Sequence, residues 1–371
     1  MANKEFHFKS GDQLSYSSLL VWRIVQSLVW LIGFTILFFL VFYPKIGIML
    51  FWNILIPIAP LVLVLATGVW RNVCPLATTN LIPRHYQWSL GKKLTASELG
   101  KLNLIGVLSL YLLVPLRHAI FNMNGPATAA LIFSMALVGF GLGFIYEWKS
   151  VWCSGLCPIH PVEKLYGGNV IMPVPNAHCG ECMNCVVPCP DSTPNMHPHL
   201  SGKNRYQRAS AMLIIGGLPG FIWGWFHVPD TAGLSTGRDF VNVYFLPISG
   251  LLITMVIYGI LSKVLPVRTG RKLIAFFAAS AVSCYYWYRV PSLFGFGHFA
   301  TDGLLIDLKT FIPAWSIRAL TYALSLFFVY WLAFRKANNN SWLIRPPFAL
   351  GKGGKSNLQP AKIGTRDGRG N

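Results

Sequence analysis

Cys179-Gly-Glu-Cys182-Met-Asn-Cys185-Val-Val-Pro-Cys189-Pro190 is the run around which the rest of the chain is organised. Its spacing, C-x2-C-x2-C-x3-C-P, is that of a loop wrapped around a cubane [4Fe–4S] cluster. Three closely spaced thiolates line one tight loop and take three corners of the cube. The fourth corner is out of reach of the same loop. The cysteine before Pro190 therefore turns away, and the closing ligand comes from elsewhere. Structural zinc prefers paired C-x2-C knuckles set well apart, and a disulfide knot needs an oxidising compartment.

Upstream, Val151-Trp152-Cys153-Ser-Gly-Leu-Cys157-Pro158 reads as the back half of that run. Earlier still, Val69-Trp70-Arg-Asn-Val-Cys74-Pro75 keeps only the final CysPro, with Trp70 where the first cysteine would stand. The two stretches form a weak internal repeat. By the crossing-over rule Cys157 completes the cluster held by Cys179, Cys182 and Cys185. Cys189 then points to a second site shared with Cys153 and Cys74, its fourth ligand drawn from His160, His178 or Asp191. The alternative is a single cluster, with Cys189, Cys153 and Cys74 as packing residues. Cys284 has no partner spacing and reads as a small hydrophobe.

Around these motifs the chain is a membrane protein by composition. Of 371 residues, 54% are hydrophobic and only 12% charged, unlike a soluble enzyme of this length. Spans of about 20 apolar residues cross a bilayer. Eight are expected, over 19–43, 46–69, 102–121, 127–148, 210–228, 243–264, 272–290 and 314–334. The formal charge of +19 sits mostly in alternate connections, which points to membrane orientation rather than nucleic acid. With the amino terminus inside, the basic residues of 71–101, 149–209, 263–272 and the tail all fall on the cytoplasmic face. The expected fold is thus an all-α integral membrane protein of the inner, cytoplasmic membrane, with both termini and a ferredoxin-like, cysteine-rich loop inside. Its parts are an N-terminal segment (1–18), a four-helix half (19–148), an iron–sulfur loop (149–209), a second four-helix half (210–334) and a basic tail (335–371). The first span shows no cleavage site and reads as a retained helix. The tail lacks the apolar residues for a core and is expected to pack on a partner or lie near anionic headgroups.

Ionisable residues inside spans are costly and are functional candidates. Arg117 and His118 fall near the outer end of the third span, and His227 near that of the fifth. Two imidazoles at one depth suit a b-type haem, and an Arg–His pair suits a quinone carbonyl. The plainer alternative has Arg117 snorkelling to the headgroups and His118 bonded to a neighbouring carbonyl. The aromatics Trp223, Trp225, Phe226 and Tyr285–Tyr288 read as an outer interfacial belt. No Walker loop, dinucleotide fingerprint, covalent-haem motif or zinc-protease motif occurs.

Residues 19–200 resemble the membrane-bound ferredoxin family that includes NapH, the membrane part of NosR and the RdxA/CcoG proteins. The resemblance rests on Cys153-x3-Cys157-Pro158, Cys74-Pro75 and the 179–190 run. It implies electron transfer linked to the quinone pool, within a complex of membrane or peripheral redox subunits, or the maturation of metal centres. The family usually carries two ferredoxin runs, whereas this chain has one, and 201–371 have no counterpart in it. The expected function is that of an electron-transfer subunit rather than a self-contained enzyme, with a soluble ferredoxin or quinone as exchange partner. An assembly factor and a scaffold with a structural cluster are the alternatives.

Overall fold

The computed structural model describes residues 14–92, 94–146, 151–178, 204–231, 237–266, 269–299, 303–335 and 343–344. Helix α1 (Tyr16–Phe42) starts where the Ser15 side chain accepts the Ser18 N–H. A tight corner at Tyr43 leads into α2 (Pro44–Leu65). The expected second span ends early, because Ala66 leaves the helical region (φ −142°, ψ 47°) and separates off α3 (Thr67–Val73). Then come α4 (Pro75–His85), α5 (Ala96–Arg117) and α6 (Gly125–Ile145). Helix α5 begins well before Asn103 because Thr95 and Glu98 form a capping box, each satisfying the other's backbone N–H. A π-helical turn (Trp152–Leu156) precedes α7 (Ile159–Tyr166). The second half holds α8, continuous through Arg205–Ala211, Met212–Gly217 and Leu218–Trp225, then α9 (Gly237–Val264), α10 (Gly270–Leu293) and α11 (Ala314–Phe334).

Among the described residues six helices, α1, α2, α5, α6, α9 and α11, are long and apolar enough to cross a bilayer. Their outward faces carry large bare apolar side chains, such as Phe34 (58% exposed) and Leu326 (70%), the surface that lipid covers. The expected spans 210–228 and 272–290 are helices too, α8 and α10, but more enclosed and more polar. Ser210, Ala211, Ile214, Ile215 and Phe221 of α8 are all buried in the core, with Val107, Tyr111, Tyr258 and Phe328.

Helix α8 lies against α9 through glycine on both sides. A Cβ on Gly220 would fall onto the Gly250 carbonyl, and one on Gly250 onto the Gly220 carbonyl. Gly216, Gly220 and Gly224 repeat every four residues, the spacing that lets membrane helices touch backbone to backbone. Pro60 is tolerated in α2 for a related reason. Tyr286 of α10 inserts its hydroxyl there, accepting the Leu61 N–H (3.0 Å) and donating to the Pro57 carbonyl (2.6 Å). The only strands among the described residues are β1 (Val174–Pro175) and β2 (Leu343–Ile344), paired in parallel, so part of the tail returns to its own chain.

Candidate metal centre

The two CysPro corners have the same build. Proline forces the residue before it into extended backbone and fits the first turn of a following helix. Cys74, between α3 and α4, has φ −57° and ψ 117°. Cys157, between the π turn and α7, has φ −67° and ψ 113°. The Cys74 N–H bonds back to the Trp70 carbonyl (3.0 Å) and the Cys157 N–H to that of Trp152 (2.8 Å). The hydrogen bonds therefore align Trp70 with Trp152 and not, as the spacing suggests, with Cys153. The π turn inserts one residue between the matched carbonyl and the cysteine. Cys74 stands at the cap position of α4, with Pro75 in the helix's first turn. Gly106 on α5 brings the second corner in, since any Cβ there would strike the Leu156 carbonyl.

A buried ion pair joins the corners. Arg71, three residues before Cys74, sets Nε 2.7 Å from Glu163 Oε2, six residues after Cys157, with 7% and 2% of the side chains exposed. The other side of the guanidinium meets His160 Nδ1, and that ring lies 3.8 Å from Glu163. Arg71 is close enough to Cys153, Cys157 and Cys74 for each sulfur to act on its charge. Burial, with Arg71 second, drives His160 down to about 3, so its ring is neutral and accepts from Arg71. Burial, the largest effect, opposes the charge of Glu163, but Arg71, His160 and Lys164 together outweigh it and hold the carboxyl below its ordinary range. Burial pushes the Cys157 thiol up, and Glu163 adds to this. Among the described residues, no three of His, Cys, Asp and Glu stand close enough to hold a metal ion by themselves.

The chain entering the ferredoxin-type run is fastened at this place. Asn72, fully buried, donates to the Pro175 carbonyl (2.7 Å) and accepts the Ala177 N–H (3.2 Å). Its carbonyl accepts from Gln26 of α1 (2.8 Å) and meets His178 Nε2 (3.1 Å). His178 is thus committed to Asn72 and sits next to Cys179. Cys179, Cys182, Cys185 and Cys189, with Asp191, lie outside the described residues. Asn72→Ala removes two buried side-chain bonds and is expected to lower stability by about 2 kcal/mol. Thermal unfolding in detergent checks this, with Asn53→Ala at the far end of the bundle as a comparison.

At that far end the other candidates are engaged. Arg117 is buried rather than snorkelling, its guanidinium 4.3 Å from the Trp52 ring and 5.0 Å from Trp225, and its Nε donates to Asn122 (2.6 Å). His118 meets the Asp230 carboxylate through Nδ1 (2.7 Å) and the Trp225 carbonyl through Nε2 (3.0 Å). Both ring nitrogens face oxygen, which leaves neither for an axial bond to haem. His227, half-buried, places Nδ1 2.7 Å from the Trp223 carbonyl. Trp225, Phe226 and Tyr286 point into the core, not to an outer belt, and the Trp225 indole donates to the Val114 carbonyl (3.2 Å). Cys284, half-buried in α10, is a free thiol.

Comparison with protein-family models, with curated proteins and with solved structures finds no match. Arg71, Asn72 and Glu163 are the site residues that motif reading passes over. Arg71 and Asn72 lie inside the quoted repeat, between Trp70 and Cys74, and their charge and polarity beside a cysteine were the available signal.

Proposed function

We propose that the chain is a membrane-embedded iron–sulfur electron-transfer subunit, whose [4Fe–4S] cluster is held by Cys157, Cys179, Cys182 and Cys185. One observation carries the reading: the Cys157 corner and the residue preceding Cys179 are fastened to the same short helix, by Arg71–Glu163 and by Asn72–His178. That convergence is what a cluster ligated from two distant stretches requires. The donor set fits the group. The two described corner thiols both stand at helix starts, Cys74 as the cap residue of α4 and Cys157 just before Pro158 and α7. When bound, the cluster supplies one-electron transfer. The chain's own residues, Arg71 with Glu163 and Asn72 with His178, hold the Cys157 corner and the entry to the ferredoxin-type run on one helix. Cys74 and Cys153, which pack in one cluster, are the residues proposed for a second site with Cys189.

The membrane reading extends the same way. Eight crossings are proposed, the six apolar helices with α8 and α10 packed among them. The basic connections put the cysteine end on the cytoplasmic side of the inner membrane. The likeness to the membrane-bound ferredoxin family supports a place in a larger redox complex linked to the quinone pool. The test is iron and acid-labile sulfide per chain, with EPR of the reduced protein. About four irons are expected for one cluster and about eight for two. Cys157→Ala is expected to abolish the four-iron signal while the folded chain remains. Zinc, or an iron-free chain purified without oxygen, overturns the proposal.

A further inference from the structure

We propose that His227 and His298 bind one divalent transition-metal ion, of the copper or zinc type, at the end of the bundle opposite the CysPro corners. The site stands apart from the iron–sulfur reading and uses none of its ligands. Two imidazoles from distant parts of the chain meet there, with ring centres 5.9 Å apart. Metal–nitrogen bonds to imidazole are about 2.0–2.1 Å, so two rings on one ion at a tetrahedral or wider angle have centres roughly 5–6 Å apart. The pair stands at the separation that one shared ion sets.

Both rings are held in place by the fold. His227 follows α8, and its backbone N–H bonds back to the Gly224 carbonyl (3.1 Å). Its Nδ1 lies 2.7 Å from the Trp223 carbonyl, and a carbonyl only accepts, so Nδ1 carries the proton. The lone pair of the neutral ring is then on Nε2, and no hydrogen bond among the described residues takes it up. Metal-binding histidines are oriented in this way, with the other ring N–H given to a carbonyl. The rings of Trp223, at 4.4 Å, and Tyr288, at 5.1 Å, flank the imidazole. His298 comes from the connection after α10, which turns at Gly295 (φ 87°) and folds back on the helix end. There the Phe296 N–H bonds to the Pro291 carbonyl (2.8 Å), and the N–H groups of Leu305 and Ile306 both reach that of Leu293 (2.9 and 3.0 Å). His298 itself is exposed and makes no side-chain hydrogen bond among the described residues. Without an ion between them, two imidazoles so placed gain little and repel once protonated.

No third His, Cys, Asp or Glu completes a closed site among the described residues. The remaining positions on the ion fall to water or to a ligand from outside, as in sites that keep open positions rather than fix a fold. Imidazole suits copper and zinc rather than calcium or magnesium, and copper(II) binds the more tightly of the first two.

The experiment is a Cu2+ titration of the full-length protein, carrying no histidine tag, read by EPR. One ion per chain is expected with hyperfine splitting from two imidazole nitrogens, while copper taken up by cysteine shows a sulfur-ligand pattern and is read apart. Loss of an outer-shell partner alone costs about 10- to 100-fold in metal affinity, so H227Q and H298Q are each expected to weaken this binding by at least about tenfold. H298Q changes an exposed residue, so it folds where H227Q fails. H85Q, at the end of α4, is the control and should leave the signal as it is. A wild type without nitrogen-coupled copper, a two-nitrogen signal that persists in H298Q, or one lost equally in H85Q overturns the inference and leaves the iron–sulfur reading untouched.

Discussion

Gly220→Leu is expected to leave almost no folded protein in the detergent-extracted membrane fraction. At the α8–α9 crossing the obstacle is backbone, the Gly250 carbonyl, so no side-chain rotation makes room. The Thr254 hydroxyl bridges the same spot, accepting the Gly220 N–H (3.2 Å) and donating to the Gly250 carbonyl (3.1 Å). Separating the helices would break the Gly220–Thr254 bond and open the core around Ile215, Leu251 and Tyr258. Overpacking alone costs about 3 kcal/mol, and the lost contacts add to it. The control makes the result specific. Gly141 on α6 has nothing within 4 Å of an added Cβ, so Gly141→Ala should be neutral or stabilising by up to about 1 kcal/mol, as in any exposed helix. Opposite signs at two helical glycines, read by size-exclusion profile and thermal unfolding, identify the crossing. Equal behaviour of the two variants would refute it.

The same crossing shows where a sequence stops being informative. Gly216-Gly217-Leu-Pro219-Gly220 reads as a kink site, because proline and glycine are local signals. The four-residue spacing through Gly224 was present in the same letters, but its partner Gly250 sits on another helix that no local pattern connects to it. The short helices α4 and α7 lie in stretches that read as loops, whereas the long apolar helices were legible, since an apolar run of bilayer length has few alternatives to helix. Their ends were not, because Thr95 with Glu98 and Ser15 with Ser18 set them through hydrogen bonds rather than hydropathy. The CysPro corners were legible for the same local reason, as proline dictates the backbone of the cysteine before it. The register between them was not, because a π turn adds a residue without a mark in the sequence. The aromatics near 225 and 286 misled, since interfacial and core tryptophans and tyrosines have the same composition. Only a partner such as the Val114 carbonyl for Trp225, or the gap in α2 for Tyr286, tells them apart.

Arg71→Ala should be the most destabilising change at the cysteine end, and its size separates a pair that holds charge from one that merely fills space. The variant leaves Glu163, 2% exposed, without its nearest opposite charge, with only His160 at 3.8 Å and Lys164 beside it. Removing one member of a buried pair typically costs about 3–5 kcal/mol. Two outcomes are open to the stranded carboxylate. It stays ionised at that cost, or it takes up a proton, and then the loss shrinks as pH falls. The sign follows from the wild type. Arg71, with His160 and Lys164, holds the Glu163 carboxyl below its ordinary range against burial, so the stability that the pair contributes is present above the usual carboxylate pKa and lost as pH falls through the depressed value. The gap between wild type and Arg71→Ala should therefore be full at pH 7 and narrow on the acid side of about pH 4. Replacing both, as R71M/E163L, removes the desolvation cost with the attraction and should bring stability back to within about 1 kcal/mol of the wild type. Denaturation curves for the three proteins at two pH values decide the matter. If the double variant is no more stable than Arg71→Ala, an apolar pair cannot stand in for the charges that join the two CysPro corners.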